Sequence, residues 1–379
     1  MIPENGTTQP LQKLQQVCLR QNIPMVSYRL PLQQEITTLV QYQTYPLRID
    51  SHDHLEQEQG FVMAPFTDTD TCGTFLLKPD HVFHGGNVDP EIIKLLSGYT
   101  GFFDIERPSV AGIDTTTKLD FIQQVNDARQ AITKGEFHKV VLSKVRVEKL
   151  QEDFDASTFF LRLCETYPHA FVYLVQLPEV GCWIGATPEP LLVVEDGTVK
   201  TVSLAGTQIA TDADLDSYSW SRKELEEQGI VTGFVEKTLQ SLNIHKYSMH
   251  GPSNYKAANL IHLRTSFEFE AADLKNRLGD FIKALHPTPS VGGLPKDAAR
   301  QFILGHENYS RNYYTGYLGP VNIEHKSNIF VNLRCLQLFQ KQFVLYSGAG
   351  ITTSSVAERE WEETDNKMMT MMNVMNSPI

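Results

Sequence analysis

Residues 181–207, GCWIGATPEPLLVVEDGTVKTVSLAGT, open the reading of the fold. An apolar run from Cys182 to Ala186 halts at Pro188, a second occupies Leu191–Val194, and a third begins beyond Asp196-Gly197. An Asp-Gly pair between two apolar runs signals a tight hairpin, so the second and third runs are expected to be neighbouring antiparallel strands. Glu189 is the odd residue. Its carboxylate stands between two prolines at the end of an apolar strand, where a purely structural segment has no use for a charge.

Upstream, FVYLVQL (171–177) and FHKVVLSKVRVEKL (137–150) read as strands. In the latter, Val141, Val145 and Val147 share one parity, with Lys144, Arg146 and Glu148 on the other. Lys139 has the parity of the valines and is expected to point toward the apolar side. Burial disfavours an ammonium, and a lysine kept neutral is what a general base requires; a rim lysine snorkelling to water fits the pattern equally. Before this strand, Leu119, Ile122, Val125, Arg129 and Ile132 follow helical spacing, stopped by Gly135.

Downstream, a helix over about 218–242 places Val231, Phe234, Val235 and Leu239 on its buried stripe, with Glu227 facing inward. A last helix, capped by Ser354 or Ser355, sets Glu360, Glu363 and Lys367 on one face. Three inward carboxylates suit a hard cation such as Mg2+. The plainer alternative is that Glu360 and Glu363 solvate a helix whose apolar side is Trp361 and the Met-rich end. The glycines of YSGAGITTSS, Gly348 and Gly350, could hold an anion on backbone N–H groups or simply make a turn. His262 and His286 could be acid-base groups or core histidines.

With 379 residues, 41% of them hydrophobic, the chain can bury a large core. A formal charge of −12 and a pI near 5.5 argue against nucleic acid or an anionic membrane surface as partner. Five dispersed cysteines read as reduced thiols, and no apolar run is long enough to span a membrane, so a soluble, cytoplasmic protein is expected. Residues 1–115 carry no interpretable motif.

In this order, FHKVVLSK, IGATPEPLL, SLAGT, LIHLRTSFE, LHPTPSVGGLPKDAARQFILGHE, RNYYTGYLG, VNLRC, YSGAGI and EREWEET resemble the chorismate-utilising enzymes. That family includes the isochorismate, salicylate, anthranilate and aminodeoxychorismate synthases. The resemblance covers residues 118–375 and implies an α+β fold over 1–379: one large domain of packed antiparallel sheets flanked by helices, with residues 1–115 divergent. It implies chorismate as substrate and Mg2+ as cofactor, held by Glu227, Glu360 and Glu363. Glu189 takes the place of the acid that protonates the departing C4 hydroxyl, and Lys139 that of the base activating water. Arg334 and Lys367 match cationic contacts to substrate carboxylates. Gly348 and Gly350 match backbone donors, and Thr207 and His262 match the ring pocket.

Because ammonia-using members lack the lysine, the resemblance points to water as nucleophile and to an isochorismate synthase, with no glutamine amidotransferase subunit as partner. A salicylate synthase, or a non-catalytic chorismate-binding protein, is the alternative. Menaquinone supply is expected ahead of a siderophore pathway. Gln228 departs from the histidine that usually follows the metal-binding glutamate.

Overall fold

The computed structural model describes residues 9–50, 55–99, 112–210, 214–257 and 260–376. The N-terminal part contributes α1 (Gln9–Gln21), β1 (Met25–Arg29), β2 (Thr37–Val40), β3 (Leu47–Arg48), β4 (Gly60–Ala64), β5 (Phe75–Leu77), β6 (His81–His84) and α2 (Pro90–Ser97). The middle holds α3 (Lys118–Thr133), β7 (Lys139–Lys149), α4 (Ala156–Thr166), β8 (Phe171–Leu177), β9 (Gly181–Thr187), β10 (Pro190–Glu195), β11 (Thr198–Ile209) and α5 (Arg222–Ser241). There follow β12 (Ser248–Ala257), β13 (Leu260–Glu270), α6 (Leu278–Leu285), β14 (Gly293–Leu294) and α7 (Lys296–His306). The chain closes with β15 (Tyr317–Val321), β16 (Ser327–Val331), β17 (Cys335–Leu338), β18 (Gln342–Ile351) and α8 (Ala357–Met375).

Among the described residues the strands form two nine-stranded sheets, ordered β14-β7-β18-β17-β9-β8-β1-β2-β6 and β12-β13-β11-β10-β16-β15-β4-β5-β3. Every recorded pairing is antiparallel, as in the expected α+β fold. Asp196 and Gly197 take φ of 49° and 75°, the conformation the hairpin reading requires. The N-terminal strands are woven into both sheets: β1, β2 and β6 extend the first, β3, β4 and β5 the second.

The sheets pack face to face on aromatics. Phe171 of β8 stacks on Phe330 of β16 at 4.2 Å between ring centroids, joining the two layers. Helices α1, α2, α4 and α8 cover the outer face of the first sheet, and α5 and α6 that of the second.

Three local expectations are corrected. Leu119 is 78% exposed, because α3 buries Phe121, Gln124, Val125, Ala128, Ala131 and Ile132 instead. The helix carrying Glu227 starts at Arg222, where Ser221 and Glu224 form a reciprocal capping box. Neither serine caps α8: Val356 occupies that position with no side-chain cap, and the Ser355 hydroxyl accepts from the Thr352 N–H.

Candidate active site

Two crossovers between the sheets build the floor of the site. The chain leaves β9 in one sheet for β10 in the other through Pro188 and Glu189, and returns from β16 to β17 through Asn332, Leu333 and Arg334. Prolines at 188 and 190 supply no N–H to a ladder, which frees the segment to bend from one sheet to the other. The crossovers brace each other, since Val331 N donates to Glu189 O at 2.9 Å and Ala186 N to Arg334 O at 3.0 Å. Arg334 has a φ of 49°, a conformation uncommon for a residue with a Cβ and costing on the order of 1 kcal/mol. Such strain persists where neighbours over-determine the backbone.

Above this floor lies a cavity of about 400 Å³. Glu189, Arg334 and His262 line it from the strands and crossovers, and Gly348 and Gly350 from β18. Glu227 of α5 and Glu360, Glu363 and Lys367 of α8 complete the wall. Nine of the residues singled out in the sequence thus meet in one place. Thr207 lies on β11, but its side chain falls outside the described residues.

Lys139 is not on the cavity wall. It is fully buried at the start of β7, with Nζ 2.7 Å from Glu227 Oε1, an ion pair without hydrogen-bond alignment. Glu227 therefore stands between the lysine and the cavity. Gly350 makes room for this pair: a Cβ there would lie 2.7 Å from Glu227 Oε1 and 3.1 Å from Lys139 Cε.

Burial pushes the Glu189 carboxyl up to about 7, against the downward pull of Lys139, Lys367 and Arg334. His262 is driven down to about 3, by burial first and then by the Arg334 charge, so its ring is neutral at physiological pH. Its Nδ1 lies 2.7 Å from the Gly206 carbonyl. Burial lowers Arg334 to about 10, which leaves it cationic, and its Nη1 is buried without a hydrogen-bond partner. Lys367 pairs with Glu363 at 2.6 Å and donates to the Gly348 carbonyl at 2.9 Å. Gly348 and Gly350 face Ser143 and Val141, whose backbone groups turn to the opposite edge of β7. In an antiparallel pair the two glycines then direct their own N–H and C=O away from β7.

Lys144 escaped the sequence reading, and Gln228, noted there only as a departure from the usual histidine, gains a structural role. Lys144, placed by parity opposite the valines, is 2% exposed rather than solvated. Its ammonium sits 3.2 Å from the Trp361 ring centroid and 2.6 Å from Asp365 Oδ1, clamping α8 to β7. No pattern within β7 signals this, since the partner lies more than 200 residues away. Gln228 is buried, and its Nε2 reaches Ser203 Oγ at 3.0 Å and Thr265 Oγ1 at 3.1 Å, tying the Glu227 turn of α5 to β11 and β13.

Among the described residues no three His, Cys, Asp or Glu side chains converge tightly enough to form a metal-binding group. Glu227 and Glu363 are each engaged by a lysine. The donor chemistry nonetheless fits a hard cation, with three carboxylates on the wall of one cavity.

The chain is similar to proteins of known kind. It is 31% identical over 260 residues to the isochorismate synthase EntC of Escherichia coli (strain K12), covering 67% of this chain and 66% of that protein, just under two thirds of its length. It is 26% identical over 336 residues to the isochorismate synthase MenF of the same strain, covering 85% of this chain and 76% of that one. The solved structure of MenF, the menaquinone-specific isochorismate synthase from Escherichia coli, superposes with a TM-score of 0.75 at 21% identity, covering 96% of this chain and 91% of that one, and so shares the fold. The family described as chorismate binding enzyme matches residues 99–376, which include every residue lining the cavity, and this protein belongs to it.

Proposed function

We propose that this protein is an isochorismate synthase, interconverting chorismate and isochorismate by addition of water at C2 and loss of the C4 hydroxyl. The observation that carries the reading is the floor of the cavity. There a carboxyl held protonated to about pH 7, Glu189, adjoins a buried guanidinium, Arg334, whose Nη1 has no protein partner. A substrate carboxylate would satisfy that donor, and the acid would meet the leaving hydroxyl.

Glu189 gives a proton to the departing hydroxyl, and Lys139, which reaches the cavity only when its ion pair with Glu227 opens, takes one from the attacking water, so the reaction is proton-neutral overall. In the reverse direction the two exchange roles. Arg334 and Lys367 bind the substrate's carboxylates, with the N–H groups of Gly348 and Gly350 as further donors. Neutral His262 lines the ring pocket without adding charge. Glu227, Glu360 and Glu363 would hold Mg2+, which supplies electrostatic neutralisation of a substrate carboxylate.

The match to MenF over 85% of this chain, a protein whose solved structure is described as menaquinone-specific, supports supply of menaquinone. The five cysteines are all free, in keeping with a reducing cytoplasm. No described helix is long and apolar enough to cross a membrane.

Incubating the purified protein with chorismate and Mg2+, with products separated chromatographically, tests the assignment. Isochorismate is expected. Salicylate with pyruvate would assign the lyase branch, and binding without turnover would make this a chorismate-binding protein.

A further inference from the structure

Strand β7 carries Lys139 and part of the cavity wall, yet its outer edge lacks a full neighbour. On its inner edge β18 pairs from Val140 to Lys149. On the outer edge the two-residue β14 pairs only with Lys139 and Val140, and the residue before it adds one bond, from the Val141 N–H to the Gly292 carbonyl at 2.8 Å. Backbone groups of the odd-numbered residues face that open side, and unpaired they would be costly to bury.

Side chains complete the edge. Arg311 Nη2 donates to the Val141 carbonyl at 2.7 Å. Glu307 Oε1 accepts from the Ser143 N–H at 2.7 Å and from the Ser143 hydroxyl at 2.8 Å. Further along, Thr116 takes both backbone groups of Val145. Glu307 and Arg311 are themselves paired through Nε–Oε2 at 2.7 Å and Nη2–Oε1 at 2.5 Å, each side chain 2% exposed. The guanidinium also binds the Val291 carbonyl at 3.0 Å and Thr315 Oγ1 at 3.3 Å, and lies 4.5 Å from the Phe66 ring centroid. Val141, Val291 and Thr315 all line the cavity.

A buried ion pair is weak support for stability, because desolvation offsets its attraction. This one binds three wall residues at once and is absent from the chemistry assigned above. We propose that Glu307 and Arg311 are positioning residues for the reaction, standing in for a missing strand beside β7 and holding Lys139 and the adjoining cavity wall in working register. The inference rests on the isochorismate synthase reading for its kinetic readout.

The test compares Glu307→Gln, Arg311→Lys and Thr116→Val with the parent. The first two should lower kcat by about 10- to 100-fold, with KM for chorismate within about twofold, because a misplacement of the order of 1 Å costs rate rather than binding. Thr116→Val removes the hydroxyl that accepts from the Val145 N–H on the same edge, away from the cavity, while its backbone N–H stays on the Val145 carbonyl, and it should lower stability with kcat unchanged. Equal kcat losses in all three variants, or a raised KM with intact kcat at Glu307 and Arg311, would overturn the inference. If neither paired variant folds, Ser143→Ala carries the test, with a several-fold loss of kcat expected and no loss overturning it.

Amide hydrogen exchange gives a readout independent of activity. Glu307→Gln should speed exchange at Ser143 by about tenfold, and Thr116→Val only near Val145. Unchanged exchange at Ser143 overturns the inference, whereas a parent inactive on chorismate sinks only the proposed function.

Discussion

Glu189 shows how one residue acquires a function from its surroundings. Its raised pKa means that the protonated acid persists to about pH 7, so kcat should fall on the alkaline side with an apparent pKa near that value. Glu189→Gln keeps the shape but delivers no proton. It should lower kcat by roughly 10²–10⁴-fold in both directions, with little change in chorismate affinity, which forward and reverse assays would check. Linkage gives a second expectation. A carboxyl whose folded pKa is raised contributes stability below its unfolded value of 4.5, and this is lost as pH rises through about 7. The Tm of Glu189→Gln relative to the parent should therefore climb between those pH values. Glu363→Gln removes an anionic oxygen from the proposed cation site and frees Lys367 from its ion pair. Its Mg2+ titration, followed calorimetrically, should shift to higher concentration, and an unchanged curve would move the metal elsewhere.

Helix α8 illustrates the element scale, because its cavity face and its anchoring face are different. Glu360, Glu363 and Lys367 look into the cavity, while Met368, Met371, Val374 and Met375 join the core under the first sheet. Heptad-like spacing made the first set readable. The clamp that orients the helix was not, because Lys144 meets Trp361 and Asp365 only after folding. Lys144→Met should cost about 1–2 kcal/mol in urea unfolding, modest because Asp365 is half exposed and its pairing is screened. It should also weaken Mg2+ binding by displacing the carboxylates on α8. Unaltered stability would mean that methionine packing on Trp361 replaces the ammonium fully.

At the scale of the molecule, the two sheets are held by their shared aromatic layer, so sheet and cavity should be lost together. Phe171→Ala removes the partner of Phe330 and should destabilise by about 3–5 kcal/mol in a single transition, with activity and ellipticity melting at one midpoint. Two separated midpoints would show that the sheets unfold independently. Much of the chain from residue 118 onward was legible beforehand: alternation marked β7, Asp196-Gly197 marked the β10–β11 hairpin, and helical spacing marked α5 and α8. The N-terminal strands were not, since β1 is buried at every position and shows no alternation to read. By itself the sequence determined which residues carry charge at the ends of apolar strands, and so which groups had to be used or neutralised. Only the tertiary structure decided that Glu227 screens Lys139 from the cavity, that Arg334 is left with an unpaired donor, and that Arg311 and Glu307 complete an open strand edge. Local periodicity reports which face of an element is apolar; which distant side chain meets it depends on two sheets closing over one another.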